Sequence, residues 1–348
     1  MFKVVTLDDY DNWNEIVRSF RNYDVYYLPD YVKGFEIIGD GVPLLFYFEN
    51  KTMRAMNVVM RRDIASHKNF NGILPKDTFF DLSTPYGYGG FVFEGEYSKS
   101  DIVELNKEYT KYCIKNNIVS EFVRFHPILE NDIYLKSMYQ VVKLGKTVTI
   151  NLDSRIQIWN EFSSKNRNVI RKAKKMGVEI FCTNDRKMLD TFLPMYNATM
   201  AKDNAASYYY FNRPFYDSII NDLRNNMLFF YAVLEGQIVS IAMVIYANKK
   251  LNYHLSASNP EFNRFSPSNL LLSQIALYGV ENNFESFHLG GGLGSSEDSL
   301  FKFKKAFNRN SETYFSIGKK IFDMDLYNKL VAMNGRTDEV NFFPEYRA

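Results

Sequence analysis

Residues 226–258 read NMLFFYAVLEGQIVSIAMVIYANKKLNYHLSAS: three apolar runs punctuated by Glu235-Gly236 and by Asn248-Lys249-Lys250. Turn formers between β-branched and aromatic runs predict three consecutive strands. A polar loop, NPEFNRFSPSN (259–269), leads into LLLSQIALYGVENN (270–283), where Leu270, Leu271, Ile275, Leu277 and Tyr278 recur at helical spacing. Ser266 before Pro267 predicts a hydroxyl-capped helix start, with a proline whose missing N–H costs nothing in the first turn. A short strand, SFHL, then three glycines, a helix over about 298–307 and the strand ETYFSIGK complete the half. A strand, a crossover helix and a further strand imply a parallel pair inside a mixed sheet.

The first half repeats that order. VPLLFYFENKTMRAMNVVMRR (42–62) is a hairpin, TFFDLS a strand, TPYGYGGFVFEG (84–95) a loop, SDIVELNKEYTKYCIKNN (100–117) a helix, and EFVRFHPIL and VVKLGKTVTINL strands. Leu144-Gly145-Lys146 in one half echoes Ile317-Gly318-Lys319 in the other. The expectation is a duplicated α/β unit, with domains 1–152 and 153–335 and a C-terminal tail 336–348; the alternative is one large sheet without duplication.

Composition narrows the class. A chain of 348 residues suits two domains, and 46% hydrophobic with 16% aromatic residues fills two cores. A net charge of +2 means that any polyanion is met by a local patch. Two cysteines build no disulfide framework and suit a reducing compartment. MFKVVTLDDYDNW does not read as a signal peptide, and no run approaches the ~18 apolar residues of a membrane span. A cytoplasmic protein is expected.

SSKNRNVIRKAKKMGVEI (163–180), YHLSASNPEFNRFSPSNLLL (253–272) and FHLGGGLGSSEDSLFKFKKAF (287–307), in that order, resemble the Fem family of aminoacyltransferases, whose fold is a tandem of GNAT-like acyltransferase domains. The resemblance implies a mixed-sheet α/β (α+β) protein with two tandem GNAT-like domains. It also implies acyl transfer to an amine of a cell-envelope precursor, nucleotide- or lipid-linked, with no resident cofactor. Aminoacyl-tRNA or acyl-CoA would enter as co-substrate. Two features depart from the pattern. No long helical hairpin is inserted in the second unit. At Arg264-Phe265-Ser266-Pro267-Ser268-Asn269 the arginine of the pyrophosphate loop is present but both of its glycines are missing, which counts against acyl-CoA.

Gly290, Gly291 and Gly292 form neither a P-loop, since no Gly-Lys-Ser/Thr closes the run, nor a dinucleotide fingerprint. They read either as a tight turn or as backbone passing close to a bound substrate at the carboxyl end of a parallel strand. Lys165, Arg167, Arg171, Lys172, Lys174 and Lys175 fill one arc of a helix whose other arc is Val169, Ile170, Ala173 and Met176. A one-sign face is either solvated or a phosphate footprint for tRNA or a nucleotide-linked precursor, with Lys165, Arg167, Arg171 and Lys174 as the candidate contacts. Tyr86, Tyr88 and Gly89 belong to STPYGYGG, which reads as a packed turn or as the wall of a substrate cleft.

No histidine spacing suggests a metal, and no Gly-x-Ser-x-Gly elbow is present. Direct acyl transfer to an amine requires a deprotonated amine, a polarised carbonyl and alignment of the two. The resemblance assigns Lys304, in the Phe303-Lys304 motif, a charge aimed at the reacting carbonyl, and it offers His254 as base or polar contact. It adds Tyr253, Arg264, Ser268 and Asn269 as substrate contacts. Ordinary surface or core roles remain open for each. Three functions compete: aminoacyl transfer to an envelope precursor, N-acetylation of an amino sugar by acetyl-CoA, and a non-catalytic binding module.

Overall fold

The computed structural model describes residues 1–335 and 341–348. In chain order it runs β1 (Phe2–Val5), α1 (Tyr10–Ser19), α2 (Pro29–Ile37), β2 (Val42–Glu49), β3 (Met53–Asp63), β4 (Phe80–Ser83), β5 (Val92–Gly95), α3 (Lys99–Lys115), β6 (Ile118–Arg124) and β7 (Gln140–Lys146). There follow β8 (Val148–Asn151), α4 (Arg155–Glu161), α5 (Ser164–Lys175), β9 (Glu179–Thr183), α6 (Leu189–Lys202), α7 (Arg213–Asp222), β10 (Met227–Leu234), β11 (Gln237–Ala247) and β12 (Lys250–Ser258). The last elements are α8 (Pro267–Glu281), β13 (Ser286–Gly290), α9 (Ser299–Lys305), β14 (Tyr314–Ile321) and α10 (Met324–Met333).

Two compact units result: residues 1–144 with 315–348, and residues 145–314. The expected second domain ran on to 335, but β14 leaves it and pairs antiparallel with β6 in the first sheet. The segment expected to be one strand, 141–152, is two strands, β7 in the first sheet and β8 in the second. Of the expected tail 336–348, residues 336–340 lie outside the described residues. Residues 341–348 are packed instead of trailing: Tyr346 is fully buried, and its hydroxyl meets Ser120 at 2.8 Å and donates to Asp81 at 3.1 Å. An aromatic ring buried with both hydroxyl partners satisfied holds a chain end in place.

In the first unit the sheet order is β1-β2-β3-β4-β6-β14-β7, with β5 on the other part of β3. Among the described strands of this unit β4 and β6 pair parallel, and α3 is their crossover. A capping box starts α3: Asp101 accepts the Ser98 N–H at 2.8 Å. Glu121 is buried on β6 and accepts from Asn57 at 3.1 Å and Tyr139 at 2.8 Å. Lys320 of β14 stands over the rings of Tyr109, Tyr139 and Phe322.

In the second unit the order is β8-β13-β12-β11-β10-β9, with β12 and β13 parallel and α8 crossing between them. The apolar run of α8 is buried through Leu270, Leu271, Leu272 and Ile275, and Gly279 admits a close approach, because a Cβ there would lie 2.6 Å from Leu152 Cδ1. Both units thus hold one parallel pair spanned by a helix, with an antiparallel strand (β14, β8) outside the second member.

Candidate active site

The site follows from how β12 and β13 part. They pair only over Lys250–Asn252 and Ser286–His288, after which β12 continues unpaired on that side to Ser258. The register of β11 and β12 shifts between Met243 and Val244, which makes His254 the extra residue of a β-bulge. Where the pair opens, a cavity of about 340 Å³ is lined by Tyr253, Ser256, Ser258, Ser268, Asn269 and Phe303, among others. Open α/β sheets bind ligands outside the carboxyl ends of parallel strands at such a parting.

Four expected site residues therefore meet: Tyr253, Ser268, Asn269 and Phe303. Tyr253 is pushed upward in pKa by burial, so it is a neutral phenol at neutral pH. Ser268 Oγ lies 3.0 Å from Ser240 Oγ. Asn269 donates to Asn166 Oδ1 at 2.8 Å, and Asn166 donates to the Ala306 carbonyl at 3.3 Å. That buried asparagine ties the starts of α5 and α8 to the end of α9. It escaped sequence reading, because a lone Asn in a basic helix carries no periodic signal. Polar Ser256 and Ser258 at the end of an apolar strand were the available hint of a cavity.

Phe303 lines the cavity while Phe301 and Phe307 are buried in the core, so the three phenylalanines do split between faces. Arg264 stands outside the lining, its guanidinium 4.8 Å over the ring of its neighbour Phe265. Ser266 is in the left-handed region at φ 53° and makes no side-chain cap, contrary to expectation; Pro267 alone marks the helix start.

The glycine loop packs against its own chain. Gly290 has φ +76°; a Cβ on Gly291 would sit 2.9 Å from the Lys146 carbonyl, and one on Gly292 would run into Ser296 O and Asp298 Oδ1. Asp298 caps α9 by accepting the Phe301 N–H at 2.8 Å, and it accepts the Leu293 N–H at 3.2 Å. The folded loop presents the Gly291 carbonyl to Lys304, whose ammonium donates to it at 2.7 Å. Lys304 is 9% exposed, and burial lowers its pKa to about 8, with Asp298 opposing the shift. Burial lowers His254 to about 3. A neutral imidazole with so low a pKa suits a polar contact better than a base at neutral pH.

The basic face is less uniform than its sequence. Lys165, Lys172, Lys174 and Lys175 are exposed. Arg167 is engaged in structure: its guanidinium donates to the carbonyls of Phe162 at 2.6 Å and Trp159 at 3.2 Å, closing the end of α4. Arg171 lies 5.0 Å over the Trp159 ring. Ser163 caps α5 by accepting the Asn166 N–H at 3.2 Å.

In the first unit the Tyr86–Gly90 segment lies between β4 and β5, ahead of α3. Tyr88 is edge-on to Tyr26 at 5.5 Å and tilted on His126 at 5.6 Å, and Tyr31 donates to the Tyr86 carbonyl. Gly89 donates to the Arg124 carbonyl at 2.8 Å, and Asn131 donates to the Gly89 carbonyl at 2.8 Å. His126 and Asp24, both buried, are joined at 2.9 Å beneath this aromatic floor.

Among the described residues no group of three or more His, Cys, Asp or Glu is placed to hold a metal, and no helix is long and apolar enough to cross a membrane.

Residues 161–304 match the family model of the acetyltransferase (GNAT) domain. No curated protein is matched. Among solved structures, FemX superposes with a TM-score of 0.68 at 16% identity, covering 94% of this chain and 99% of its own. The C-terminal (DUF2156) domain of an Agrobacterium fabrum protein described as a lysylphosphatidylglycerol synthetase gives 0.52 at 14%, covering 94% and 95%. A tandem GNAT protein from the clavulanic acid biosynthesis pathway gives 0.51 at 7%, covering 93% and 98%.

Proposed function

From a chain that belongs, in fold, with the Fem-type tandem GNAT proteins, we propose an acyltransferase that moves an aminoacyl group from charged tRNA onto an amine of a cell-envelope precursor. The observation that carries this reading is the cavity at the parting of β12 and β13, with neutral Tyr253 and Phe303 on its walls. The amine attacks the ester carbonyl and forms the C–N bond. The C–O bond to the tRNA ribose breaks, and the proton leaves with the released hydroxyl. No covalent enzyme intermediate or resident cofactor is needed, so the protein's part is alignment and charge stabilisation.

Lys304 supplies the charge. It is held by the Gly291 carbonyl in a poorly hydrated place, where an ammonium acts more strongly on a developing oxyanion than it would in water. The exposed lysines of α5 supply attraction for a polyanionic donor. A second reading, transfer from acetyl-CoA, is favoured by the GNAT domain match and by the start of α8 at the cavity. Pro267 and Asn269 stand there in place of the glycines that would let backbone wrap a pyrophosphate.

A transfer assay with charged tRNA and nucleotide-linked peptidoglycan precursor, run beside calorimetry with acetyl-CoA, tests the choice. Acylated precursor with no acetyl-CoA binding is expected. Micromolar acetyl-CoA binding with no tRNA-dependent product overturns the first reading in favour of the second.

A further inference from the structure

A second cavity, of about 510 Å³, lies in the first unit at the end of β3 and the start of β4, the opposite end of the β4 strand from the Tyr86–Gly90 loop. Nothing in the acyl-transfer reading uses it. Arg61, Arg62, Lys68 and Arg347 line it, and a Cβ at Gly41 would sit 2.6 Å from the Arg61 carbonyl, so the 39–41 loop closes tightly on one wall.

The acids around this cavity are engaged, whereas several of the donor nitrogens are not. Asp81, fully buried, accepts Arg62 Nε at 2.7 Å on one oxygen, and Arg347 Nε at 2.5 Å and Tyr346 on the other. Asp63 accepts the Ala65 N–H at 3.0 Å on one oxygen, and the Ser66 hydroxyl and the Asp77 N–H, both at 3.3 Å, on the other. Asp40 lines the cavity and acts electrostatically on Arg62, and Asp77 is exposed at the rim. Arg62 binds Asp81 through Nε alone, which leaves its two terminal nitrogens with no hydrogen-bond partner among the described residues. Arg61 makes no side-chain hydrogen bond among the described residues: its Nε is buried and unsatisfied, and its guanidinium lies 4.7 Å over the Phe80 ring. Lys68 is exposed, and its ammonium has no hydrogen-bond partner among the described residues. A buried guanidinium nitrogen without an acceptor is costly to leave unmatched. His67 reports the local field: burial, then Arg347, Lys68 and Arg62, lower its pKa to about 4.

We propose that this cavity is a binding site for a phosphate group, with the Arg61 fork, the free end of Arg62 and the Lys68 ammonium as its donors. Planar guanidinium forks match phosphate oxygens in pairs, and an ammonium adds a point charge. Asp81 with Arg347 serves as the scaffold that holds Arg62 in place. The phosphate comes from a soluble phosphoester or from a lipid headgroup, which share this chemistry.

Calorimetry of the full chain with inorganic pyrophosphate, and flotation with vesicles containing phosphatidate, separate the two sources. Arg61→Gln and Lys68→Gln are the test variants, because neither side chain bonds to the described fold. Lys51→Gln, an exposed lysine in the β2–β3 turn, is the control for general cationic attraction. Removing one charge-assisted hydrogen bond weakens binding by about tenfold or more. Saturable pyrophosphate binding, or vesicle binding without it, that weakens by that factor in both test variants and not in the control is the expected result. No binding to either probe, or binding that the two variants leave unchanged, overturns the site.

Discussion

Lys304 is a charge held against its solvation preference. Its pKa falls from the ordinary lysine value of 10.5 to about 8, a difference worth about 3 kcal/mol between its protonation states. Between pH 8 and 10.5 the unfolded chain binds more protons here than the folded one, so this group makes stability rise with pH across that window. Lys304→Met removes the cost and the charge together. It is expected to flatten that rise in urea melts at about pH 8 and about pH 10, and to lower turnover by on the order of 10²-fold, as removal of one transition-state donor does. Turnover of the wild-type chain should decline as pH climbs through about 8. Exposed Lys302 is the proper control; Lys305 is not, because its ammonium donates to the Ser311 carbonyl at 2.7 Å. Full turnover in Lys304→Met ends the assignment. His254 acts in the acid range. Its folded pKa of about 3 lies below the ordinary 6.5, so stability is complete above 6.5 and is lost as pH falls toward 3. His254→Asn should shrink the gap between melting midpoints at about pH 7 and about pH 4.5; an unchanged gap means that other groups set the acid limit.

In the secondary-structure elements, α5 carries two jobs that its sequence does not separate. Its lysines face solvent, whereas Arg167 closes α4 and Arg171 packs on Trp159. Lys165→Glu, Lys174→Glu and Lys175→Glu together should keep the circular dichroism melt within a degree or two, since exposed charges add little. They should also weaken tRNA binding and flatten its salt dependence, by close to one unit of slope for each phosphate interaction removed. Arg167→Glu should instead lower the melting temperature, because it sets a carboxylate against the carbonyls that the guanidinium now satisfies. Equal effects from the two sets would mean that the helix is a single electrostatic surface. The glycine run makes the same point in backbone: Gly291 and Gly292 are required by close approach to Lys146 and Asp298, not by a phosphate.

Across the chain as a whole, the first unit is assembled from both ends. Its sheet takes β14 beside β6, and its core takes Tyr327, Leu330 and Tyr346. Residues 145–314 hold a complete six-stranded sheet with its own core. A fragment of 145–314 should therefore fold alone with a cooperative thermal transition, whereas 1–144 should not. In the full chain, Tyr346→Ala should cost about 3–5 kcal/mol, as for other large buried aromatics. A cooperative 1–144 fragment would contradict this division.

Local sequence was enough for part of the elements; α1, α2, α4, α6, α7 and α10 were not read from it. Alternating and helical periodicities with their turn residues specify the hairpins, the crossovers α3 and α8, and the duplicated order, because those signals are local. The chain also marked Tyr253, Ser268, Asn269 and Phe303, which do meet at one cavity. Which strand goes to which sheet was settled only in three dimensions. Val141–Leu152 looks like one run and Tyr314–Ile321 looks like the close of the second half, but pairing with β6 buries β14 beside Glu121 through Lys320 and its aromatic neighbours. Folding also divided one basic stretch into solvated lysines and a helix-closing arginine, and set three cationic side chains of the 61–68 segment, with engaged acids, around a cavity. Long-range pairing and the fate of each charge depend on which groups arrive from far along the chain, and no local pattern records that.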